Sequence, residues 1–122
     1  PGKKIRMAVG TGNRRTQDII DFGESLAEFY DYVVIKDTDP RDRAPGETCE
    51  LVKQGLLKAG YSKDNIDIII DGREATQKAL NMASDGDIVV LQADDIQQVI
   101  QDVIDYKEIL AEEILRALKL EK

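Results

Sequence analysis

The sequence predicts an α/β fold, a three-layer Rossmann-like domain with a mainly parallel sheet and helices on both faces. Two observations lead to this prediction. Four short apolar runs are spread along the chain, and each is followed by a longer segment with the spacing of an amphipathic helix. The chain has 122 residues, of which 42% are hydrophobic. Residues 1–122 are therefore expected to form a single domain with its own core.

The predicted strands are β-branched, mostly apolar runs that end at polar residues or glycine. They cover residues 5–9, 32–36, 66–70 and 88–93. Strands that are apolar on both sides are typical of a parallel sheet buried between two layers of helices.

The predicted helices follow the strands. The first covers residues 16–30, with Thr16 as its N-cap and with Ile19, Gly23, Leu26 and Tyr30 on one stripe. The second begins near Pro45 and stops at Gly60.

The third predicted helix covers residues 73–83, and the last begins near residue 95. The apolar stripe of the last helix slips in phase near residues 105–107, which predicts a bend or a second helix there.

The composition excludes several kinds of chemistry. The chain has no His and no Trp, and Cys49 is its one cysteine. A Ser-His-Asp triad, a His-ligated zinc site and an internal disulfide are therefore impossible within it. Cys49 shares a helix face with apolar residues and is expected to be a buried, inert thiol.

The net charge of −7 comes from the second half of the chain. Residues 62–122 hold 14 acidic and 7 basic side chains, whereas residues 1–61 hold 10 of each. An acidic domain repels phosphate backbones, so no nucleic-acid partner is expected. No apolar run is long enough for a membrane span and no signal peptide is visible, so we expect a cytoplasmic protein without a membrane partner.

Ligands of open parallel sheets bind beyond the carboxyl ends of the strands. This rule selects four loops, at residues 10–15, 37–43, 71–73 and 92–95. If the first two strands are neighbours, the first two loops form one rim. Its forked donors suit phosphate or carboxylate groups. They are Arg14, Arg15, Arg41 and Arg43.

The first loop begins like the dinucleotide pattern G-x-G-x-x-G, but Arg15 stands where the third glycine belongs. A complete dinucleotide site is therefore not favoured. The phosphate-loop pattern G-x-x-x-x-G-K-[ST] is absent, so the triphosphate of any ATP must be held mainly by another domain. Asp94 and Asp95 are interpreted as acids at a helix N-terminus rather than as a metal or phosphorylation site.

Three stretches of the chain, in order, carry a family resemblance. They are GNRRTQDII at residues 12–20, FYDYVVIKD at 29–37 leading to RDRAPGE at 41–47, and GDIVVL at 86–91 followed by ADD at 93–95. On these stretches the chain resembles the C-terminal domain of the Mur ligase superfamily of ATP-dependent amide-forming ligases. Within that superfamily, it is similar to the Mur-ligase-like domain of cyanophycin synthetases. Asn13 departs from a usual Asp, and Asp42 from a usual Gly.

The resemblance implies a longer, multidomain ligase. Its central domain would bind ATP and Mg, phosphorylate a carboxylate, and let an amine attack the acyl phosphate. The C-terminal domain would close on the central domain and help hold the nucleotide and an amino-acid or polypeptide substrate. In the cyanophycin branch, Arg is joined to aspartate side-chain carboxylates. This chain alone is expected to be inactive, with neither catalytic residues nor metal ligands.

The residues expected to meet the ligands lie in the first two loops. Asn13, Arg14 and Arg15 precede a helix N-terminus, where a nucleotide phosphate would be favoured. In the second loop, Asp37, Asp39 and Glu47 would receive a cationic amino acid, and Arg41 and Arg43 would hold a carboxylate. The alternative for the second loop is a solvated surface with internal ion pairs.

Two other functions remain open. The chain could be a free-standing module that binds a small anion or a nucleotide without catalysis. It could also be a structural domain that forms a homo-oligomer through its long last helix.

Overall fold

A parallel sheet of four strands forms the centre of the computed structural model, which describes residues 2–37, 43–93 and 95–120. The strands are β1 (Lys4–Val9), β2 (Tyr32–Lys36), β3 (Ile66–Ile68) and β4 (Ile88–Leu91), in the spatial order β3-β2-β1-β4. All three neighbouring pairs are parallel, and β1 pairs with both β2 and β4.

In the described ranges, four α-helices alternate with the strands: α1 (Thr16–Leu26), α2 (Glu47–Lys58), α3 (Gly72–Asn81) and α4 (Ile96–Leu120). The helices α1 and α2 cover one face of the sheet, over a core that includes Ala8, Val33 and Ile35. The helices α3 and α4 cover the other face, over Ile5, Met7 and Val34. Alternate residues of β1 and β2 thus enter opposite cores, and the predicted three-layer α/β fold is confirmed.

The first helix is shorter than predicted. It begins at Thr16, which is not its N-cap: Arg15 occupies that position and makes no side-chain capping bond. The Thr16 hydroxyl instead accepts a hydrogen bond from Arg43 at 3.1 Å. The helix ends at Leu26, and Tyr30 lies beyond it, where its hydroxyl accepts a hydrogen bond from Arg6 at 3.0 Å. Tyr30 packs against the core from beyond the helix end, and its position four residues after Leu26 therefore resembles helical spacing in the sequence.

The last helix is a single element, so the predicted second helix near residues 105–107 is wrong. Residues 95–122 contain neither Gly nor Pro, and the helix runs unbroken from Ile96 to Leu120. The change in apolar phase marks the point at which the helix leaves the domain. Before it, Val99 and Asp102 are buried; after it, every described side chain from residue 107 to residue 119 is exposed.

None of the helices in the described ranges is both long enough and apolar enough to cross a membrane.

Candidate functional site

The strand order places a switch point between β1 and β4. The chain proceeds from β1 outwards through β2 to β3 and then returns to the other side of β1 to form β4. The loops after β1 and β4 therefore diverge, which opens a crevice at their carboxyl ends. A cavity of about 230 Å³ lies there, called here the switch-point cleft. It is lined by Val9, Gly10, Thr11, Arg14, Asp18, Ile19, Phe22 and Gln92.

Gln92 fixes one wall of the switch-point cleft. Its Oε1 accepts hydrogen bonds from the backbone N–H of Val9 at 3.1 Å and from Arg6 at 2.7 Å. Its Nε2 donates to the carbonyl oxygen of Val9 at 3.2 Å. The side chain thus continues the pairing of β1 with β4 beyond the last strand residue. Sequence reasoning missed this role, although a Gln directly after the apolar run IVVL was a visible signal.

Arg6 lies beneath Gln92 on the sheet face covered by α1. Its guanidinium stacks at 5.5 Å from the Tyr30 ring centroid and at 5.9 Å from that of Phe22. Its Nε is buried without a hydrogen-bond partner in the described structure. The charge is held by the aromatic faces and by bonds to Tyr30 and Gln92, so Arg6 supports the floor of the cleft.

Arg14 and Arg15 occupy different environments. Arg14 lines both the switch-point cleft and a shallower cavity that Asn13, Arg15 and Asp18 also line. Its guanidinium has no hydrogen-bond or ion-pair partner within residues 2–37, 43–93 and 95–120. The Arg15 side chain is 86% exposed and pairs with Asp18 at 3.0 Å, and this pairing lowers the pKa of Asp18. Within the described ranges, Arg14 is therefore a cation beside the cleft whose guanidinium makes no hydrogen bond or ion pair; after Arg15, its charge also contributes to lowering the pKa of Asp18.

The N-terminus of α1 adds positive potential at the same place. Because Arg15 does not cap it through its side chain, the first N–H groups of α1 have no side-chain acceptor at that position. Such N–H groups, together with a neighbouring Arg, suit a phosphate or carboxylate.

Arg43 joins the loops after β1 and β2. It donates to the carbonyl oxygens of Gly12 at 3.2 Å and Arg14 at 2.7 Å, to Thr16 at 3.1 Å and to Glu47 at 2.6 Å. The strands β1 and β2 are neighbours, as the predicted rim required, and Arg43 links the described end of the second loop to the first; residues 38–42 of that loop lie outside the described residues. Arg43 and Glu47 pair with each other here, as the alternative of internal ion pairs anticipated, and a substrate contact for either remains a prediction.

Asp37 lies at the end of β2 and organises the start of α2. One carboxylate oxygen accepts a bond from the backbone N–H of Gly46 at 2.8 Å, and the other from the Thr48 hydroxyl at 3.2 Å. Gly46 has a φ of 82°, a left-handed conformation that glycine adopts without strain. Asp39 and Arg41, which were also predicted to contact substrate, lie outside the described residues.

A second cavity, of about 430 Å³, opens beside Asp37 and is called here the acidic cavity. The carboxylates that line this cavity outnumber its cationic side chains. Two of them also cap helices: Asp71 accepts a hydrogen bond from the backbone N–H of Glu74 in α3, and Asp95 accepts one from the backbone N–H of Gln98 in α4. Asp95 therefore acts as predicted, as an acid at a helix N-terminus; Asp94 lies outside the described residues. The acidic cavity is lined by Lys36, Asp37, Asp71, Gly72, Arg73, Asp95, Gln98, Val99 and Asp102.

Cys49 is buried in the core between α2 and the sheet, 1% exposed. Burial, and secondarily the nearby Asp37 carboxylate, raises the pKa of its thiol to about 12, so the thiolate is disfavoured. The predicted buried thiol is confirmed. Among the described residues, no three His, Cys, Asp or Glu side chains are grouped so that they could hold a metal ion.

Comparison with known proteins identifies the family to which the chain belongs. The family model described as Mur ligase, glutamate ligase domain, matches residues 1–94. A cyanophycin synthetase of Nostoc sp. is 31% identical over 114 residues, which are 93% of this chain and 12% of the relative. A cyanophycin synthetase of Synechocystis sp. is 30% identical over 105 residues, 82% of this chain and 12% of the relative.

Relatives of a second kind match as well. The UDP-N-acetylmuramoyl-L-alanyl-D-glutamate–2,6-diaminopimelate ligase of Aquifex aeolicus is 30% identical over 90 residues, 74% of this chain and 18% of the relative. The chain thus spans less than a fifth of the length of any of these three relatives. The match over residues 1–94, the parallel sheet and the residue identities together show that this chain belongs to the Mur ligase glutamate ligase domain family and is related to cyanophycin synthetases.

Proposed function

We propose that this chain is the domain that closes over nucleotide and substrate in an ATP-dependent, amide-forming amino-acid ligase, as part of a longer multidomain chain. The observation that carries the proposal is the switch-point cleft, where the guanidinium of Arg14 stands beside the N-terminus of α1. This is a site for an anion, and it is open on one side.

The size of the cleft favours a shared site over a self-sufficient one. Pockets that enclose a drug-sized ligand measure about 300–1,000 Å³. The switch-point cleft, at about 230 Å³, falls below that range. A whole nucleotide therefore needs a second surface, which a central ATPase domain of the same chain would supply. The adjoining cavity at Arg14 measures about 460 Å³ but is shallow and open to solvent, so a free-standing nucleotide-binding module is kept as the alternative proposal.

The residues present fit a phosphate of ATP. Arg14 would bind it, Asn13 and Arg15 would border it, and the N–H groups at the start of α1 would face it. When bound, ATP with its Mg supplies the phosphoryl group that activates the substrate carboxylate, and the central domain would hold both. The contribution of this chain is to position charge and to exclude water as the two domains close.

The acidic cavity favours a cationic amine as the second substrate. Asp37, Asp71, Asp95 and Asp102 face Lys36 and Arg73 across it, so carboxylates exceed cations by two. Together with Asp39 and Glu47, Asp37 would receive the cationic part of the incoming amino acid, and Arg41 and Arg43 would hold its carboxylate. Arginine, as ligated in the cyanophycin branch, is the amine proposed.

The nucleotide role is tested in the full-length ligase by Arg14→Ala. We expect kcat/KM for ATP to fall about 10- to 100-fold, because a charge-assisted contact to phosphate is lost. Arg15→Ala is the matched control, expected to change it less than about threefold because that side chain is exposed and paired with Asp18. Equal effects of the two substitutions would contradict the assignment of Arg14.

The substrate role is tested by Asp37→Asn in the same enzyme. The amide retains an acceptor for Gly46 but removes the negative charge. We expect a higher KM for arginine and no change in KM for ATP. A variant whose KM for arginine is unaltered, with the fold intact by circular dichroism, would show that Asp37 serves only the start of α2.

A further inference from the structure

Arg6 carries a positive charge beneath the switch-point cleft, and no carboxylate of the described residues pairs with it. Its partly buried guanidinium donates to two neutral groups, the Tyr30 hydroxyl at 3.0 Å and Oε1 of Gln92 at 2.7 Å. Its Nε atom is buried without a partner in the described structure. Buried charges in proteins are ordinarily paired with an opposite charge, so this arrangement leaves a positive field that an anion can use.

The charge of Arg6 lies one side chain away from the space inside the cleft. Gln92, which accepts its hydrogen bond, lines the switch-point cleft, and so does Phe22, whose ring centroid is 5.9 Å from the guanidinium. Both side chains are neutral, so they separate the guanidinium from a ligand without cancelling its charge. A field that acts through protein is weakened less than one that acts through water, so Arg6 can attract an anion in the cleft without touching it.

The charges around the cleft favour an anion with two negative charges. Within the described ranges, the Arg14 guanidinium makes no hydrogen bond or ion pair, Arg15 pairs with Asp18 at 3.0 Å, and Arg6 is held by neutral groups. Positive charges at and beneath the cleft therefore exceed negative ones by two in the part of the chain that the structure describes. A phosphate group carries up to two negative charges near neutral pH, whereas a carboxylate carries one.

We propose that Arg6 is a second cation of the switch-point cleft, a positioning residue that acts through Gln92 and makes the cleft select a doubly charged phosphate over a carboxylate. Gln92 is part of this role because its amide oxygen accepts the hydrogen bond from Arg6 without neutralising the charge, as the carboxylate of a Glu would. The role rests on the proposed function, since the phosphate group that it would hold is that of ATP.

Titration of the 122-residue chain with inorganic phosphate and with acetate tests this selectivity. Both anions are added at constant ionic strength and slightly alkaline pH, and binding is followed by the amide NMR shifts of Gly10 and Thr11, which line the cleft. We expect Arg6→Met to lower the phosphate affinity about tenfold and the acetate affinity only about threefold, because the interaction free energy of a double charge is twice as large. Arg6→Lys keeps the charge and should lower neither affinity more than about threefold.

Gln92→Glu neutralises Arg6 while the guanidinium stays between its aromatic neighbours. The new carboxylate can accept the bonds that Gln92 accepts from Arg6 and from the backbone N–H of Val9. We expect it to lower the phosphate affinity at least as much as Arg6→Met does. Lys63→Met is the matched control, because it also removes one cation, but Lys63 is exposed and precedes β3, at the amino ends of the strands and opposite the cleft. It should bind both anions as the original chain does.

Three results would overturn this role of Arg6. The first is an original chain that binds phosphate no more tightly than acetate. The second is a phosphate affinity that Arg6→Met or Gln92→Glu leaves unchanged, or that Arg6→Met lowers only as much as the acetate affinity. The third is a loss in Arg6→Lys as large as that in Arg6→Met, with both folds intact by circular dichroism, which would assign the effect to packing. The proposed function fails separately, if Arg14→Ala leaves kcat/KM for ATP unchanged in the full-length ligase.

Discussion

Arg43 shows how one side chain connects two loops that are distant in sequence. Four hydrogen bonds from its guanidinium reach Gly12, Arg14, Thr16 and Glu47. Two of these bonds end on main-chain carbonyls of the loop that carries Arg14. The position of Arg14 beside the switch-point cleft therefore depends on Arg43.

Replacing the Arg43 guanidinium tests whether its bonds between the two loops stabilise the fold. Arg43→Lys keeps the charge but cannot make the divergent set of bonds, and we expect a loss of about 2 kcal/mol in the free energy of unfolding, measured by urea denaturation. Arg15→Lys, on an exposed side chain, should change it by less than about 0.5 kcal/mol. Similar values for the two would mean that the Arg43 bonds add nothing to stability.

The buried thiol of Cys49 and two partly buried tyrosine hydroxyls predict that the protein loses stability in alkali. Burial raises the pKa of Tyr32, Cys49 and Tyr61 to about 12 each, from ordinary values of 10.0 for Tyr and 9.0 for Cys. A hydrogen bond from Tyr32 to Asp67, at 2.6 Å, adds to the shift for Tyr32. Between about pH 9 and about pH 12 the unfolded chain therefore binds fewer protons than the folded one, and stability falls as pH rises.

Urea denaturation at about pH 8 and about pH 11 measures this loss. Cys49→Ala removes the thiol and should flatten the decline, while the tyrosine contribution remains. A free energy of unfolding that stays constant over this range would contradict the burial of these groups.

At the scale of elements, two glycines determine how α1 and α2 pack. A Cβ at Gly23 would collide with the main-chain oxygen of Val52, and one at Gly55 with the main-chain oxygen of Ile20. The two helix backbones are therefore in direct contact, and neither side can yield by moving a side chain.

Gly23→Ala and Gly55→Ala should each cost about 3 kcal/mol of stability, because the helices must separate. Gly72→Ala is the control: it begins α3, and a Cβ there would meet only the Lys36 side chain at ordinary contact distances of 3.6 and 3.7 Å. We expect it to be neutral or slightly stabilising. Thermal unfolding distinguishes the three variants, and tolerance of alanine at Gly23 would contradict the close packing.

The helices and strands themselves were largely predictable from the sequence. The run YVVIK matched β2 to the residue, because a strand buried on both faces needs a continuous apolar run. The ends of α1 were not predictable in the same way. Thr16 has the chemistry of an N-cap, but its hydroxyl is taken by Arg43, which is distant in sequence. Local sequence patterns do not show whether a residue distant in the chain will compete for the same hydroxyl.

At the scale of the whole molecule, the incomplete switch-point cleft predicts that the purified 122-residue chain hydrolyses no ATP. Its cavity of about 230 Å³ does not enclose a whole nucleotide, and the phosphate-loop pattern is absent from the sequence. A coupled ATPase assay should give the rate of buffer alone, and calorimetric titration should show only weak nucleotide binding. Turnover proportional to chain concentration would contradict the proposed closing role.

The sequence by itself determined the α/β class, the four strand–helix units, the buried thiol and the loops at the carboxyl ends of the strands. These features follow from hydrophobic periodicity and from the chemistry of neighbouring residues, both of which can be read directly from the sequence. Only the tertiary structure decided that β4 lies beside β1, which puts the crevice between Arg14 and Gln92. It also decided that Arg43 turns inward and that α4 continues past the domain. The physical reason is that strand order and the partners of long side chains depend on contacts between residues far apart in the chain. In the case of Gln92, the partners are Arg6 and Val9, more than 80 residues away.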